Sequence, residues 1–267
     1  MTGKPYQPPP LTAELWYERV PDLRDPALLD ALRDVSPEAE AQSASLVVPH
    51  VDTIIELESG PLPLLTAVLA GSSLEDSTKT LPDVSQTWDW DQADELLQRC
   101  TGSILVTEML ARLFAPRQRV HGLTAVVRCL VERTAPLVVS WPESQRITDP
   151  ATMEVDGLSG VLNVRFFTIR NDPGAMVMDT LGLHLFDLPD IQCHYRDFDA
   201  GEVASMLYST GAYVFDNGDV IENGHTISGS RGDERYVCQH ERSLLAPERV
   251  VLDVDLGPPY AAGKRER

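Results

Sequence analysis

The fold is decided by three apolar stretches that follow one another without a helical pattern between them: Ser45-Leu-Val-Val-Pro-His50, Thr53-Ile-Ile-Glu-Leu-Glu58 and Leu64-Leu-Thr-Ala-Val-Leu-Ala70. Short apolar runs of this kind are typical of strands. Consecutive strands without a crossover helix pair most simply as antiparallel neighbours. The stretch therefore favours an α+β fold with antiparallel or mixed sheets and packed helices over a doubly wound parallel sheet.

Helical spacing occurs on both sides of these strands. Asp25 is a good N-cap and Pro26 suits a first helical turn, so a helix is predicted to start there. A longer helix is predicted from Pro116 to about Arg133. With strands before, between and after these helices, the first half predicts a ferredoxin-like sandwich with extra strands.

The second half repeats a crude strand–helix order. A turn at Asn171–Gly174 separates two predicted strands, a helix is predicted from Asp199 to about Asp216, and further strands follow. We expect four segments: a flexible arm (1–10), an N-terminal α+β half (11–155), a C-terminal α+β half packed on the first (156–257) and a loose tail (258–267).

The chain is strongly acidic, with 41 Asp and Glu against 22 Lys and Arg and a formal net charge of −19. Such a charge disfavours nucleic acid and anionic membrane surfaces as partners, and favours encounter with a basic protein. No apolar run is long enough for a membrane span, and the proline-rich N-terminus lacks a signal-peptide core. The four widely spaced cysteines fit reduced thiols, so a cytoplasmic location is expected.

A Cys/His set near the C-terminus is the main candidate for chemistry. Cys193, His194, Cys238 and His240 are residue types that zinc prefers, and both pairs lie in predicted strands. Neighbours in a regular strand point to opposite faces, so Cys193 and His194 share an ion only if the strand bulges. Three interpretations stay open: a metal-dependent hydrolase or small-molecule enzyme that also uses Glu241, a structural zinc, and buried cysteines with ordinary histidines.

Two further groups are candidates. Trp88 and Trp90 precede a predicted helix and could anchor an interface, although such residues also fold over a core edge. Four residues at successive turns, Asp216, Asp219, Glu222 and His225, could perform acid–base chemistry, but Asx-rich turns explain these residues without any chemistry.

Four phrases carry a resemblance to a known family: Thr80-Leu-Pro-Asp-Val-Ser-Gln-Thr-Trp-Asp-Trp90, Met178-Asp-Thr-Leu-Gly-Leu183, Leu188-Pro-Asp-Ile-Gln-Cys-His194 and Asp219-Val-Ile-Glu-Asn-Gly-His225. They resemble an uncharacterised bacterial family catalogued as domain of unknown function 4261, over residues 60–255. The resemblance implies a bacterial cytoplasmic protein and assigns no catalytic residues.

The charge, the absence of a complete catalytic motif and the resemblance favour a non-enzymatic protein-binding module. Some families of this general type look like immunity or adaptor proteins. The metal-dependent enzyme and the structural zinc remain the alternatives.

Overall fold

The structure is a computed structural model that describes residues 8–43, 45–73, 81–229 and 234–263. The chain divides into two compact units, Met1–Val161 and Leu162–Arg267. The division lies a few residues after the expected one at residue 155, because the intervening segment is bonded within the first unit. The Asp156 N–H donates to Thr124, and the Ser144 hydroxyl donates to the Gly160 carbonyl.

The described residues of the N-terminal unit form one sheet of seven strands, with the order β2-β3-β4-β5-β1-β6-β7. Its strands are β1 (Thr12–Tyr17), β2 (Glu40–Gln42), β3 (Ser45–Leu57), β4 (Gly60–Ser73), β5 (Gly102–Met109), β6 (Val138–Trp141) and β7 (Arg146–Thr148). All of these pairings are antiparallel. The α+β class is confirmed, with the extra strands that were expected. A ferredoxin-like split βαβ unit has a parallel pair, and none occurs among the described pairings of this sheet.

The described part of this unit has three α-helices: α1 (Pro26–Val35), α2 (Ala93–Gln98) and α3 (Pro116–Thr134). Helix α1 starts where the sequence predicts, because the Asp25 carboxylate accepts the Ala27 N–H at 2.9 Å and Pro26 follows. Helix α3 packs closely on the sheet at Gly122, where a Cβ atom would lie 2.6 Å from Leu64 Cδ2. The other face of the sheet is covered near Trp16 by α2.

In the C-terminal unit, the residues that the structure describes form six strands in the order β11-β12-β13-β10-β9-β8. They are β8 (Asn163–Thr168), β9 (Ala175–Leu181), β10 (Asp190–Arg196), β11 (Thr226–Ser228), β12 (Arg235–Arg242) and β13 (Val250–Asp255). The β10–β13 pair is parallel and the other described pairs are antiparallel. Helix α4 (Ala200–Asn217) starts at Asp199, whose carboxylate accepts the Glu202 N–H.

Helix α4 lies on one face of this sheet. A Cβ atom at Gly211 would lie 3.0 Å from Leu162 and 3.7 Å from both Leu183 and Thr180. Since side chains alternate along a strand, Asp179 points to the opposite face of the sheet.

The ends of the chain are more ordered than expected where the structure describes them. In the expected loose tail, the Ala262 N–H donates to His194 O, and Tyr260 O accepts the Arg196 N–H. In the expected flexible arm, Pro8 is buried and its carbonyl accepts a hydrogen bond from Arg112. The tail is therefore held by backbone pairing with β10. Among the described residues, no helix is both long and apolar enough to cross a membrane.

Candidate functional site

The two cysteines of the predicted metal set lie on strands that are not neighbours. Cys193 is on β10 and Cys238 is on β12, and β13 lies between these two strands. Cys238 is opposite Val254 of β13, and continuing the parallel β10–β13 register by one residue past Gln192 and Asp253 places Val254 beside Cys193 as well. Two strand spacings separate the cysteines by about 9–10 Å. Two sulfurs bound to one zinc lie only about 4 Å apart, because each Zn–S bond is about 2.3 Å. Both cysteines are completely buried.

The histidines of that set also lie apart. His194 points to the opposite face from Cys193, and a Cβ atom at Gly263 would lie 2.3 Å from its Nδ1. His240 shares a face with Cys238 but its ring is bonded to turn residues. Within the ranges that the structure describes, no group of three or more His, Cys, Asp and Glu is placed to hold a metal ion. The structure therefore does not bring the four predicted ligands together.

His240 ties the turns before β11 to β12. Its Nδ1 lies 2.9 Å from Asn223 Oδ1, which also accepts the His240 backbone N–H, and its Nε2 lies 2.9 Å from Asp219 Oδ1. The nearby Glu222 N–H donates to His225 Nδ1. These contacts explain Asp219, Glu222 and His225 as hydrogen-bond partners within the turns. Glu241 takes no part in these hydrogen bonds between the turns and His240.

We expect His240→Ala to lower the free energy of unfolding by about 1 kcal/mol, because it removes hydrogen bonds at a partly buried site. Chemical denaturation with and without a zinc chelator measures this. The loss should be the same in both conditions, since the contacts removed are to Asn223 and Asp219. If the chelator destabilised the wild type and abolished the difference, a structural zinc would be supported instead.

Sequence reasoning missed a row of polar side chains that crosses five strands of the C-terminal sheet. We call this row the polar row. Its members lie directly opposite one another on neighbouring strands, and they are Arg165, Asp179, Gln192, Asp253 and Gln239. The first four are at most 3% exposed. Burial of this many polar groups is costly unless each is hydrogen-bonded.

Arg165 and Asp179 of the polar row take part in close ion pairs, whereas Asp253 accepts a hydrogen bond from the Gln192 amide at 3.3 Å. Arg165 donates to both oxygens of Asp179, from Nε at 3.0 Å and from a terminal nitrogen at 2.6 Å. Arg249 donates to Asp179 at 2.6 Å and to Asp190 at 2.8 Å. His184 Nδ1 lies 3.1 Å from Asp190. Two guanidinium groups thus balance two carboxylates in the interior.

The same bonds hold a loop over the sheet. Arg249 and Leu244 belong to the connection between β12 and β13, and Leu244 N–H donates to Gln192 Oε1 at 2.8 Å. Arg249 also donates to the carbonyls of Pro247 and Thr180. The pKa of Asp190 lies below its ordinary value. Burial alone would raise this pKa, but the hydrogen bond from His184 and the positive charge of Arg249 together lower it by more. The lowered pKa favours the ionised form of Asp190, and the hydrogen bonds tie the β12–β13 connection to the sheet, so the arrangement serves the fold.

A signal for this row exists in the sequence. Asp179 and Asp253 each interrupt an otherwise apolar strand, in Met176-Val-Met-Asp-Thr-Leu181 and Val250-Val-Leu-Asp-Val254. A single charge inside such a run indicates either an exposed position or a buried charge with a partner. Identifying Arg165 and Arg249 as the partners requires the strand order.

Glu143 is an unusual acid in the N-terminal unit. It is half-buried in the turn between β6 and β7, and its Oε2 has no hydrogen-bond partner among the residues described. Burial raises the pKa of this carboxyl to about 7; Thr12 hydrogen bonds oppose the shift, and nearby Glu108 adds to it. Glu108 itself is buried and bonded by Arg119, with Nε to Oε2 at 2.9 Å.

Cations are rare on the strands of the N-terminal sheet: among its described strands, only β7 contains one, Arg146. Strands β1 to β6 contain no Lys or Arg, and the whole segment 34–78 contains none. Glu14 and Glu108 are engaged within the unit. The remaining acids lie exposed along β2, β3 and the following turn; we call them the acidic edge: Glu40, Asp52, Glu56 and Glu58.

The predicted interface tryptophans separate into two environments. Trp90 packs against the core group that includes Trp16, Leu97 and Ile147. Trp88 is 52% exposed, and Asp89 between the two is bonded by Arg146. Trp90 thus contributes to the core edge, and an interface role for Trp88 stays a prediction.

The fold class is thus two α+β units, each built on one mainly antiparallel sheet. Residues 179–255 match the model of a family described as a domain of unknown function (DUF4261). This match confirms the resemblance for that segment, which extends from Asp179 to Asp255 and contains four of the five polar-row residues. Comparisons with curated proteins and with solved structures found no match.

Proposed function

We propose that this chain is a non-enzymatic binding module, immunity- or adaptor-like, for a positively charged protein. The observation that carries the proposal is the acidic edge on a sheet whose first six strands hold no Lys or Arg. Exposed carboxylates on strands that carry no Lys or Arg attract cationic patches and select against acidic partners. The net charge of −19 extends this preference to the whole chain.

The ionisable groups inside the C-terminal unit support the same proposal. Asp179 and Asp190 are each bonded by arginine, so their charge is already matched within the fold. The acidic edge has no such matching cation in its own segment, and a partner's Lys and Arg side chains would supply it.

We propose a reducing, cytoplasmic setting for this interaction. None of the four cysteines, all of which the structure describes, forms a disulfide. Burial raises the pKa of Cys100 and of Cys238 to about 11, which keeps both as thiols near neutral pH.

The proposal predicts a salt-sensitive complex. Immobilised full-length chain should retain a basic protein in stoichiometric amounts, and the affinity of the purified pair should fall about tenfold or more between 50 and 500 mM salt. Affinity is measured by titration calorimetry at each salt concentration. A stoichiometric partner with an acidic surface, or an affinity indifferent to salt, would contradict the proposal.

A further inference from the structure

The β3–β4 hairpin extends beyond the rest of its sheet. Strand β5 ends at Met109, which pairs with Leu65, whereas β3 and β4 continue to pair up to Leu57 and Gly60. Residues 50–64 therefore form a two-stranded projection, which we call the arm. A register shift between His50 and Ile54 lies at the base of the arm.

The two edges of the arm differ chemically because of two prolines. Pro61 and Pro63 lie opposite Glu56 and Ile54. Proline has no N–H, so these are the pairs of an antiparallel ladder that exchange no hydrogen bonds. The nitrogens of both prolines therefore face away from β3, and the outer edge of β4 has no donors at these positions.

The outer edge of β3 keeps its donors and acceptors. By the same alternation, the N–H and C=O groups of Ile54 and Glu56 point away from β4. Strand β2 pairs with β3 only at Ser45–Val47, and Ser36 bonds the Pro49 carbonyl. For the outward groups of Ile54 and Glu56, no partner occurs in the part of the chain that is described. An edge of this kind is a template for another strand.

The side chains along this edge define the strand that fits it. Ile54 is 48% exposed and shares a face with Glu56, while Asp52 and Glu58 lie exposed on either side. An apolar side chain opposite Ile54 and a Lys or Arg opposite Glu56 would form favourable cross-strand pairs. A second copy of this chain would instead place carboxylates against carboxylates.

We propose that the outer edge of β3 over residues 52–57 binds an extended segment of a partner protein in which an apolar and a basic residue lie two positions apart, by addition of a strand to the arm. This inference rests on the proposed function and locates its binding surface. Backbone hydrogen bonds at Ile54 and Glu56 supply register, and the acidic edge supplies selectivity for a basic segment.

The test uses a fluorescent peptide in which Val and Lys lie two positions apart on one face and Thr occupies the positions between them, with a Glu-for-Lys peptide as the ligand control. Binding to full-length protein is measured by fluorescence anisotropy at low salt. Ile54→Pro removes an outward N–H without removing a bond to β4, so it should weaken binding about tenfold while the fold persists. Ile54→Ser keeps the N–H and removes the apolar side chain, and a smaller loss is expected.

Charge is tested separately with Glu56→Lys, which should weaken binding about tenfold. The control is Glu95→Lys on α2, where an acid that is also exposed is replaced and little effect is expected. If the peptide binds but Ile54→Pro and Glu56→Lys do not change its affinity, the β3 edge is overturned as the binding surface. The proposal that the partner is a basic protein is not affected by that result. If the Lys peptide fails to bind, the β3 edge is overturned as well, and the salt titration with the captured natural partner decides the proposed function independently.

Discussion

Asp179→Ala is expected to lower the free energy of unfolding by about 3–5 kcal/mol, the usual cost of removing one partner from a buried ion pair. Both Arg165 and Arg249 donate to this carboxylate, and all three side chains are almost fully buried. Its removal leaves two guanidinium groups in the interior with part of their hydrogen bonding lost. Urea denaturation followed by far-ultraviolet circular dichroism measures the change.

The matched control is the exposed pair Arg242–Glu248, which belongs to the same unit. Glu248→Ala should change stability by less than about 1 kcal/mol, since exposed pairs contribute little. Asp179→Asn keeps the shape and some hydrogen bonding, so it provides a folded variant with an intermediate loss. Equal stability for Asp179→Ala and Glu248→Ala would contradict the role assigned to the polar row.

Glu143→Gln is expected to stabilise the protein by about 2 kcal/mol at pH 8–9 and to have little effect at pH 4. The folded-state pKa of Glu143 is raised from 4.5 to about 7. A raised carboxyl pKa gives stability that is complete below pH 4.5 and is lost as pH rises through 7. Glutamine mimics the protonated form, so the variant avoids that loss. One pKa unit corresponds to about 1.4 kcal/mol, and partial exposure reduces the total.

Thermal and urea denaturation of both proteins across this pH range measures the effect. Glu95→Gln, at an exposed position of α2, should change stability by less than about 0.5 kcal/mol throughout. Burial, with a smaller effect of His121, lowers the pKa of His50 to about 4, so His50 destabilises wild type and variant alike as pH falls below 6.5. A Glu143→Gln benefit that does not grow with pH would contradict the assignment.

The sequence predicted the elements well where local signals are strong. Asp25 and Pro26 fixed the start of α1, and the apolar runs at 45–70 correctly predicted consecutive antiparallel strands. The two runs at 45–50 and 53–58 proved to be one long strand, β3, with a register shift inside it. The pattern around Pro142–Glu154 suggested only a connector, because the three-residue strand β7 is too short to show periodicity.

The polar row and the separation of the predicted metal ligands were less accessible to sequence reasoning, because both depend on which distant strands become neighbours. Asp179 and Arg249 are 70 positions apart and meet only once β13 lies beside β10. The alternation of side chains along a strand correctly indicated that Cys193 and His194 face opposite sides of a sheet. It could not show that β13 separates Cys193 from Cys238, since strand order is a property of the tertiary fold.

The acidic edge shows a different limit of sequence reasoning. The absence of Lys and Arg from residues 34–78 is visible in the chain itself. The place where a partner would bind is not visible in the sequence. Only the pairing of Pro61 with Glu56 and of Pro63 with Ile54 reveals which edge of the hairpin keeps its N–H donors. Charge thus suggested the class of partner, and register suggested the place of binding.

The most direct test of the central claim, that this protein acts by presenting an acidic surface to a cationic partner, is the affinity of the isolated natural complex as a function of salt. The account predicts that Kd rises about tenfold or more between 50 and 500 mM salt, with a basic protein as the partner. A Kd that stays constant over that range would contradict it.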